Sequence, residues 1–159
     1  MGLKGFVDFM AKMGLMIRDD PPKVIDCAAR QWGEAKAGWA LSVESTPGTE
    51  KDDPPTLSIV IRNVGTAKQT LTVPGWMHFY AVELHETNGT EVPMAPFGKT
   101  ALDPSRRSHI EAEIAPGEWV ETMIPLGSFF NVRGKPGLLA TARATVAPGI
   151  ELLSNTAPV

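Results

Sequence analysis

The first hydrophobic pattern in the chain has helical spacing. Its apolar positions are Leu3, Phe6, Met10, Met13 and Ile17. Spacings of three and four residues place side chains on one face of a helix, and we call this set the apolar stripe. Gly5 and Gly14 each cost such a helix about 1 kcal/mol relative to alanine. The helix therefore needs a surface against which its apolar stripe can pack.

A second helix is predicted directly after the first. Asp20 is a suitable capping residue, and Pro21 fits the first helical position. Gly33 is typical of the position that ends a helix. The two segments together predict a helical arm over residues 1–33.

From Gly38 onward the hydrophobic period changes to two, which is typical of strands. The pattern predicts strands at Trp39–Glu44, Leu57–Arg62, Gln69–Val73, Trp76–His85, Glu91–Met94, His109–Ile114, Trp119–Ile124, Leu138–Val146 and, as a short last strand, Leu152–Val159. Asn63–Thr66 is predicted to close a hairpin, and so is Thr87–Thr90, which contains Asn-Gly. Trp76–His85 is apolar on both faces, which predicts a central strand. Ala95–Ser105 is predicted as a loop.

Seven or eight of these segments, separated by polar turns, are enough to predict a mainly β fold, an antiparallel β-sandwich over residues 34–159. Composition agrees with this, because the chain holds 15 glycines and 14 prolines, which favour turns and strand edges. The 15 Lys+Arg against 18 Asp+Glu give a net charge of -3. No basic face is evident, so nucleic acid is not an expected partner.

We expect neither a signal peptide nor a membrane span in the N-terminal segment. Lys4, Asp8 and Lys12 interrupt its apolar residues, whereas either signal needs a continuous apolar stretch. Cys27 is the single cysteine, so no disulfide is predicted within the chain.

No constellation of residues predicts chemistry. A blue-copper site needs a histidine close after its cysteine, yet the first histidine after Cys27 is His78. His78 and His85 are seven residues apart on one predicted strand, which places them on opposite faces. The pairs Glu111/Glu113 and Glu118/Glu121 fit a solvated strand face. We therefore expect no catalytic residue, no metal and no cofactor, and we do not expect an enzyme.

Several short motifs resemble those of one known group of domains. They are Trp32-Gly33-Glu34, Ile61-Arg62-Asn63-Val64-Gly65, Ile114-Ala115-Pro116-Gly117-Glu118, Phe129-Phe130-Asn131-Val132, Pro136-Gly137-Leu138 and Ser154-Asn155-Thr156. With these motifs, residues 32–159 resemble bacterial immunoglobulin-like β-sandwich domains of largely unknown function. The resemblance implies the sandwich and slightly favours a periplasmic location. It implies no catalytic residue, because the motifs are turn chemistry.

The expected function is a non-enzymatic protein-interaction module, an accessory or structural subunit of a larger assembly. The apolar stripe would dock on a protein partner or on a membrane surface, and residues 1–18 carry a charge of +2 from Lys4, Lys12 and Arg18 against Asp8. Packing of the arm on the protein's own sheets is the competing interpretation.

Two other functions stay open at this point. A protease inhibitor would present the loops Thr46–Pro55 and Ala95–Ser105 from one end of the sandwich. A carbohydrate-binding module would need a row of exposed aromatic side chains, for which Trp39, Trp76 and Trp119 are the candidates.

Overall fold

A computed structural model describes residues 25–50, 52–74, 80–103 and 109–159. Within these ranges the protein is mainly β, with antiparallel strands in several small sheets. The strands are β1 (Trp39–Thr46), β2 (Thr56–Asn63), β3 (Gln69–Pro74), β4 (Tyr80–His85), β5 (His109–Ile114), β6 (Trp119–Pro125), β7 (Leu139–Ala147), β8 (Ile150–Leu153) and β9 (Ala157–Pro158). Two short helices are α1 (Pro96–Ala101) and α2 (Leu126–Phe129).

The strands form three sheets. The first has the order β1-β2-β6, and the second pairs β3 with β5. In the third sheet β7 pairs with β4 on one side and with β8 and β9 on the other. Ser154 continues the ladder between β8 and β9, because its backbone N donates to Ala142 O at 2.9 Å and its Oγ accepts from Ala142 N at 2.8 Å.

The hairpin predicted across Asn63–Thr66 is wrong. β2 pairs with β1 and β6, whereas β3 pairs with β5, so this turn carries the chain from one sheet to another. The physical reason lies in Asn63, which is fully buried. Its Nδ2 donates to Ala67 O at 2.9 Å and to Ile114 O at 2.8 Å. These bonds hold the chain at a corner between two sheets, so β3 does not fold back to pair with β2.

The central position predicted for Trp76–His85 is also wrong for the part that the structure describes. β4 pairs along its length with β7 alone among the described strands, and β7 is the central strand of that sheet. Tyr80, Val82 and Leu84 are buried, but Ala81 is exposed. One face of β4 therefore meets solvent.

The N-terminal and loop predictions differ from the structure in two places. Residues 25–33 contain a turn and no helix, because Asp26 Oδ1 accepts from the backbone N of Ala28 at 3.1 Å and of Ala29 at 3.3 Å. The second predicted helix therefore does not extend to Gly33. The predicted loop Ala95–Ser105 contains α1 over its described part.

The strand predicted at Glu91–Met94 is wrong, because this segment forms isolated bridges alone, from Glu91 to His85 and from Met94 to Phe130. The predicted turn before it agrees with the structure. Gly89 N donates to Glu86 O at 2.9 Å and has a φ of 88°, which confirms the tight turn before Thr90. The returning chain is tied to β4 by Val92 N, which donates to Leu84 O at 2.8 Å. The single last strand predicted at Leu152–Val159 is instead divided between β8 and the two-residue β9.

One hydrophobic core receives side chains from all three sheets. The inward face of β2 supplies Leu57, Ile59 and Ile61, all fully buried. Thr122 of β6 donates its hydroxyl to Tyr80 Oη of β4 at 3.3 Å, so a buried polar contact joins the first and third sheets. Burial raises the pKa of Tyr80 to about 12. This contact and the Asn63 bonds are buried polar contacts within a mainly apolar interior.

Candidate functional site

The apolar stripe of Leu3, Phe6, Met10, Met13 and Ile17 lies outside the described residues. The described chain begins where the predicted arm joins the sheets, and we call residues 25–36 the root segment. In the part of the chain that the structure describes, no helix is long and apolar enough to cross a bilayer. Because the apolar stripe is not described, the root segment is the part of the predicted arm whose contacts follow below.

Arg30 fastens the root segment to the outer face of the β1-β2-β6 sheet, the face turned away from the core. Its side chain is only 6% exposed. Nε donates to Ser42 Oγ at 3.0 Å, while the two Nη atoms donate to Ser58 Oγ at 3.2 Å and Ser58 O at 3.0 Å. Ser42 Oγ in turn donates to Gln31 O at 2.6 Å. The root segment is thus bound to both β1 and β2 through buried polar contacts.

Two carboxylates accompany the buried guanidinium. Glu44 Oε2 lies 3.2 Å from Arg30 Nη1, and Glu121 Oε2 accepts from Ser58 Oγ at 2.5 Å. Loss of solvent lowers the pKa of Arg30, and the negative charges of Glu44 and Glu121 oppose that change. Because an arginine stays protonated in proteins, the arrangement is a partly neutralised buried cation. It has the character of an anchor for the chain.

A second set of contacts closes the free edge of β1. Gly33 N donates to Leu41 O at 2.9 Å. Further along β1, Asn155 accepts from Val43 N at 2.9 Å and donates to Val43 O at 3.1 Å, so one side-chain amide replaces a neighbouring strand. A Cβ at position 33 would overlap the carbonyl oxygen of Leu153, which explains the glycine in Trp-Gly-Glu. These contacts join β1 to the end of β8.

A third motif has a structural explanation at the Asn63 corner. Gly117 N donates to Asn63 O at 2.8 Å, and Asn63 N donates to Glu118 O at 3.0 Å. Glu118 Oε2 accepts from Ala115 N at 3.0 Å, which closes the Pro-Gly-Glu turn. The residues of this motif hold the turn together.

The two loops considered for protease inhibition lie at one end of the protein. α2 lies between them. Its Gly127 packs against Pro54, and a Cβ added at position 127 would lie 2.5 Å from Pro54 Cγ. On the other side, a Cβ at Gly98 of α1 would overlap the carbonyl oxygen of Phe129. The described parts of Thr46–Pro55 and Ala95–Ser105 are therefore linked through α2.

Phe97 projects from this end. It is 56% exposed, and its ring lies 5.1 Å from that of Phe129 with an interplanar angle of 81°. On the neighbouring loop, Asp53 Oδ2 accepts from Thr49 Oγ1 and Glu50 N, each at 3.2 Å. Both loops thus have defined conformations where the structure describes them.

The two described tryptophans considered for carbohydrate binding, Trp39 and Trp119, do not form a row. Trp39 is 3% exposed and belongs to the core. Trp119 pairs with Arg62 on the outer face of the same sheet, so these two indoles point to opposite sides. Trp76 lies outside the described residues.

Among residues 25–50, 52–74, 80–103 and 109–159, no group of three His, Cys, Asp or Glu side chains is placed to hold a metal ion. His85 Nε2 lies 3.4 Å from Glu83 Oε2, and Cys27 is a half-buried free thiol. His78 is outside the described residues.

Sequence reasoning missed Arg30 and Asn155, which make the most directed polar contacts of the candidate site. The available signal was the pair Ser42 and Ser58, small hydroxyl residues at alternating positions of otherwise apolar strands. Both prove to be buried and to bond Arg30. Their partner could not be identified from spacing.

Comparison with known protein families finds no model that matches this chain, and no curated protein matches it either.

Proposed function

We propose that this protein is a non-enzymatic protein-interaction module, an accessory subunit of a larger assembly that engages its partner through the N-terminal arm. The observation that carries the proposal is the anchoring of the root segment by Arg30, whose side chain is 6% exposed and bonds both β1 and β2. In this proposal the anchored root segment fixes the point at which the arm leaves the sheets, which lowers the entropy lost on docking.

The supporting fold in this proposal is an immunoglobulin-like sandwich. One core takes side chains from all three sheets, and Thr122 on the first sheet contacts Tyr80 on the third. The strand orders β1-β2-β6 and β4-β7-β8 are compatible with two facing layers. Such a scaffold presents a binding segment without supplying chemistry itself.

The arm would bind through its apolar stripe. Amphipathic helices dock by placing residues spaced three and four apart into an apolar groove on a partner. Leu3, Phe6, Met10, Met13 and Ile17 have that spacing. A protein partner is the better fit than a lipid surface, since the +2 charge of residues 1–18 is small for membrane attachment.

Affinity capture from the native source tests this proposal. The baits are the full chain, the chain without residues 1–18, and the variants Met10→Asp and Ala11→Asp. Met10 lies on the stripe and Ala11 beside it, so the two variants add the same charge at neighbouring positions. We expect one stoichiometric partner with the full chain and with Ala11→Asp, and its loss with the other two baits.

Two results would contradict the proposal. One is a partner retained equally by all four baits, which would place the binding surface elsewhere. The other is co-sedimentation of the full chain with anionic phospholipid vesicles and no protein partner, which would make the arm a lipid-binding segment.

Protease inhibition is a second candidate, and one observation favours it: the two loops that it needs are joined at one end through α2. An inhibitor of this kind would insert exposed Phe97 and the neighbouring loop into a protease. A panel of cysteine and serine proteases, assayed with micromolar protein, tests it. Absence of inhibition throughout the panel would remove this candidate.

A further inference from the structure

The direction of the backbone groups along β6 follows from two bonds at the ends of its ladder with β2. Leu126 N donates to Pro55 O at 3.1 Å, and Asn63 N donates to Glu118 O at 3.0 Å. In an antiparallel ladder, alternate residues turn both N–H and C=O toward the same neighbour. The even-numbered residues of β6 therefore bond β2. The odd-numbered residues turn their backbone groups away from β2, and they are Trp119, Glu121, Met123 and Pro125.

These outward groups form an open edge. Among the strands that the structure describes, β2 is the only one that pairs with β6. No described residue bonds the outward N–H and C=O groups of Trp119, Glu121 and Met123. These residues repeat about every 6.8 Å, which is the spacing of an extended strand. Pro125 has no N–H and ends the stretch. We call Trp119–Met123 the open edge.

The opposite edge of the same sheet is closed, whereas the open edge lacks protection. On β1, Gly33 and the side chain of Asn155 bond the outward backbone groups. Proteins commonly protect an exposed edge with a charged side chain. The single charge on β6 is that of Glu121, and its Oε2 accepts from Ser58 Oγ on β2 at 2.5 Å. The carboxylate is thereby drawn back over the sheet and does not screen the edge.

The alternating donors and acceptors of the open edge define its occupant as an extended chain, since only a strand can bond all of them in register. A second copy of this protein is the poorer occupant. Antiparallel pairing of two open edges that uses all three outward residues places the two Glu121 side chains directly opposite each other. Like charges in that position are destabilising. A segment of a different protein can place a basic residue there instead.

The side chains along the open edge indicate what the segment carries. Val120 and Thr122 are 4% and 6% exposed on the inner face, so apolar residues opposite them would extend the core. Trp119 and Met123 are half-buried on the outer face and favour apolar residues opposite them. Glu121 lies between these two on the same face and favours a basic residue.

We propose that the open edge of β6 binds an extended segment of a partner protein by antiparallel strand addition, with a basic residue of the segment opposite Glu121 and apolar residues on both sides of it. The segment becomes the fourth strand of the β1-β2-β6 sheet. This binding surface is separate from the arm and goes beyond the proposed function.

Amide hydrogen exchange of the full chain, followed by NMR, tests whether the edge is open. We expect the amides at positions 119, 121 and 123 to exchange at least about tenfold faster than those at positions 120, 122 and 124, which bond β2. Slow exchange at all six positions would show that another part of the protein covers the edge. Protection that rises with protein concentration would show that a second copy occupies it. Either result overturns the proposal.

The binding probe is the peptide acetyl-Ser-Val-Val-Lys-Val-Val-Ser-amide, whose lysine can lie opposite Glu121. We expect saturable binding that slows exchange at positions 119, 121 and 123 at least about tenfold. The control peptide has N-methyl groups on the lysine and on the valines two positions from it. It keeps every side chain but cannot donate to the edge. Equal binding of the two peptides, or no protection by the first at about 1 mM, would overturn the proposal.

Two variants of Met123 test the same edge from the side of the protein. Met123→Pro removes one outward N–H and leaves the bonds to β2 in place, and Pro125 shows that the strand accepts proline in this register. Met123→Leu keeps the N–H and an apolar side chain. We expect the peptide to bind Met123→Pro at least about tenfold more weakly than Met123→Leu. Equal affinity would overturn the proposal, and if Met123→Pro does not fold, the N-methylated peptide decides the question.

The outcome is independent of the partner assay for the arm. A protein that does not bind the peptide but still captures its partner through the arm overturns this inference and leaves the proposed function standing. Peptide binding at the open edge without any partner captured through the arm gives the opposite result.

Discussion

Substitution of Arg30 is the most direct test of the anchor. Arg30→Ala removes three hydrogen bonds donated by a charged group, at 3.0, 3.2 and 3.0 Å, from a side chain that is 6% exposed. A hydrogen bond to a charged group contributes about 1.5–3 kcal/mol. Ser42 and Ser58 each keep another partner, Gln31 O and Glu121 Oε2, which limits the loss.

The magnitude follows from these contacts. We expect the free energy of unfolding to fall by about 3 kcal/mol, less than the sum of the three bonds because the hydroxyl partners remain satisfied. The ion pair with Glu44 adds little, since that carboxylate is 59% exposed. For a domain of this size the change corresponds to roughly 10 °C in Tm.

Arg62→Ala is the matched control. Arg62 belongs to the same outer face but is half-exposed, and its Nε makes a single bond, to Gly117 O at 3.3 Å. We expect a loss of about 0.5 kcal/mol. Urea denaturation, with the midpoint and the m value both measured, compares the two variants. If Arg30→Ala costs no more than Arg62→Ala, the anchor does not hold the root segment and the reasoning is refuted.

Three further predictions concern the closed edge of β1 and the core. Gly33→Ala should destabilise the protein by at least about 2 kcal/mol in urea denaturation, because its Cβ would overlap Leu153 O, and a change below about 0.5 kcal/mol would contradict that packing. Asn155→Ala should cost about 1–3 kcal/mol and make light scattering rise with concentration, because Val43 N and O at the strand edge lose their partner; an unchanged Cm and a clear solution would contradict it. Burial raises the pKa of Tyr80 to about 12, whereas unfolded tyrosine ionises near 10, so the folded state favours the neutral phenol. The stability due to this preference is complete below about pH 10 and is lost between about pH 10 and 12, by about 2–3 kcal/mol, and Tyr80→Phe should remove that part of the pH dependence.

The sequence predicts the strands better than it predicts their neighbours. β1, β5, β6 and β7 begin and end within two residues of the prediction, because alternation of apolar and polar residues is a local property. The prediction of a mainly β, antiparallel protein is confirmed on this basis. Pairing is not local. The Asn63 turn has the composition of a hairpin, but a buried bond from its side chain to Ile114 O decides which sheet the chain enters next.

The candidate site also has one part that local sequence patterns predict and one part that they do not. The apolar stripe is visible from its spacing alone, and it stays a prediction because its residues are outside the described part of the chain. Arg30 is the part that spacing does not reveal. The sequence pattern places it in a helix, whereas its side chain is buried over the outer face of the β1-β2-β6 sheet. Its partners Ser42 and Ser58 lie on different strands, so no local pattern could have brought the three together.

The sheet change at Asn63 also has a kinetic consequence. Because β2 does not fold back on β3, its second neighbour arrives much later in the chain: Leu57 pairs with Ile124, and likewise Tyr80 pairs with Ala144. Closing such long loops before these two ladders can form places this protein among the slow folders, with refolding on a millisecond-to-second scale. During synthesis β1 and β2 can pair with each other, but β2 and β4 depend on the last third of the chain for their other partners.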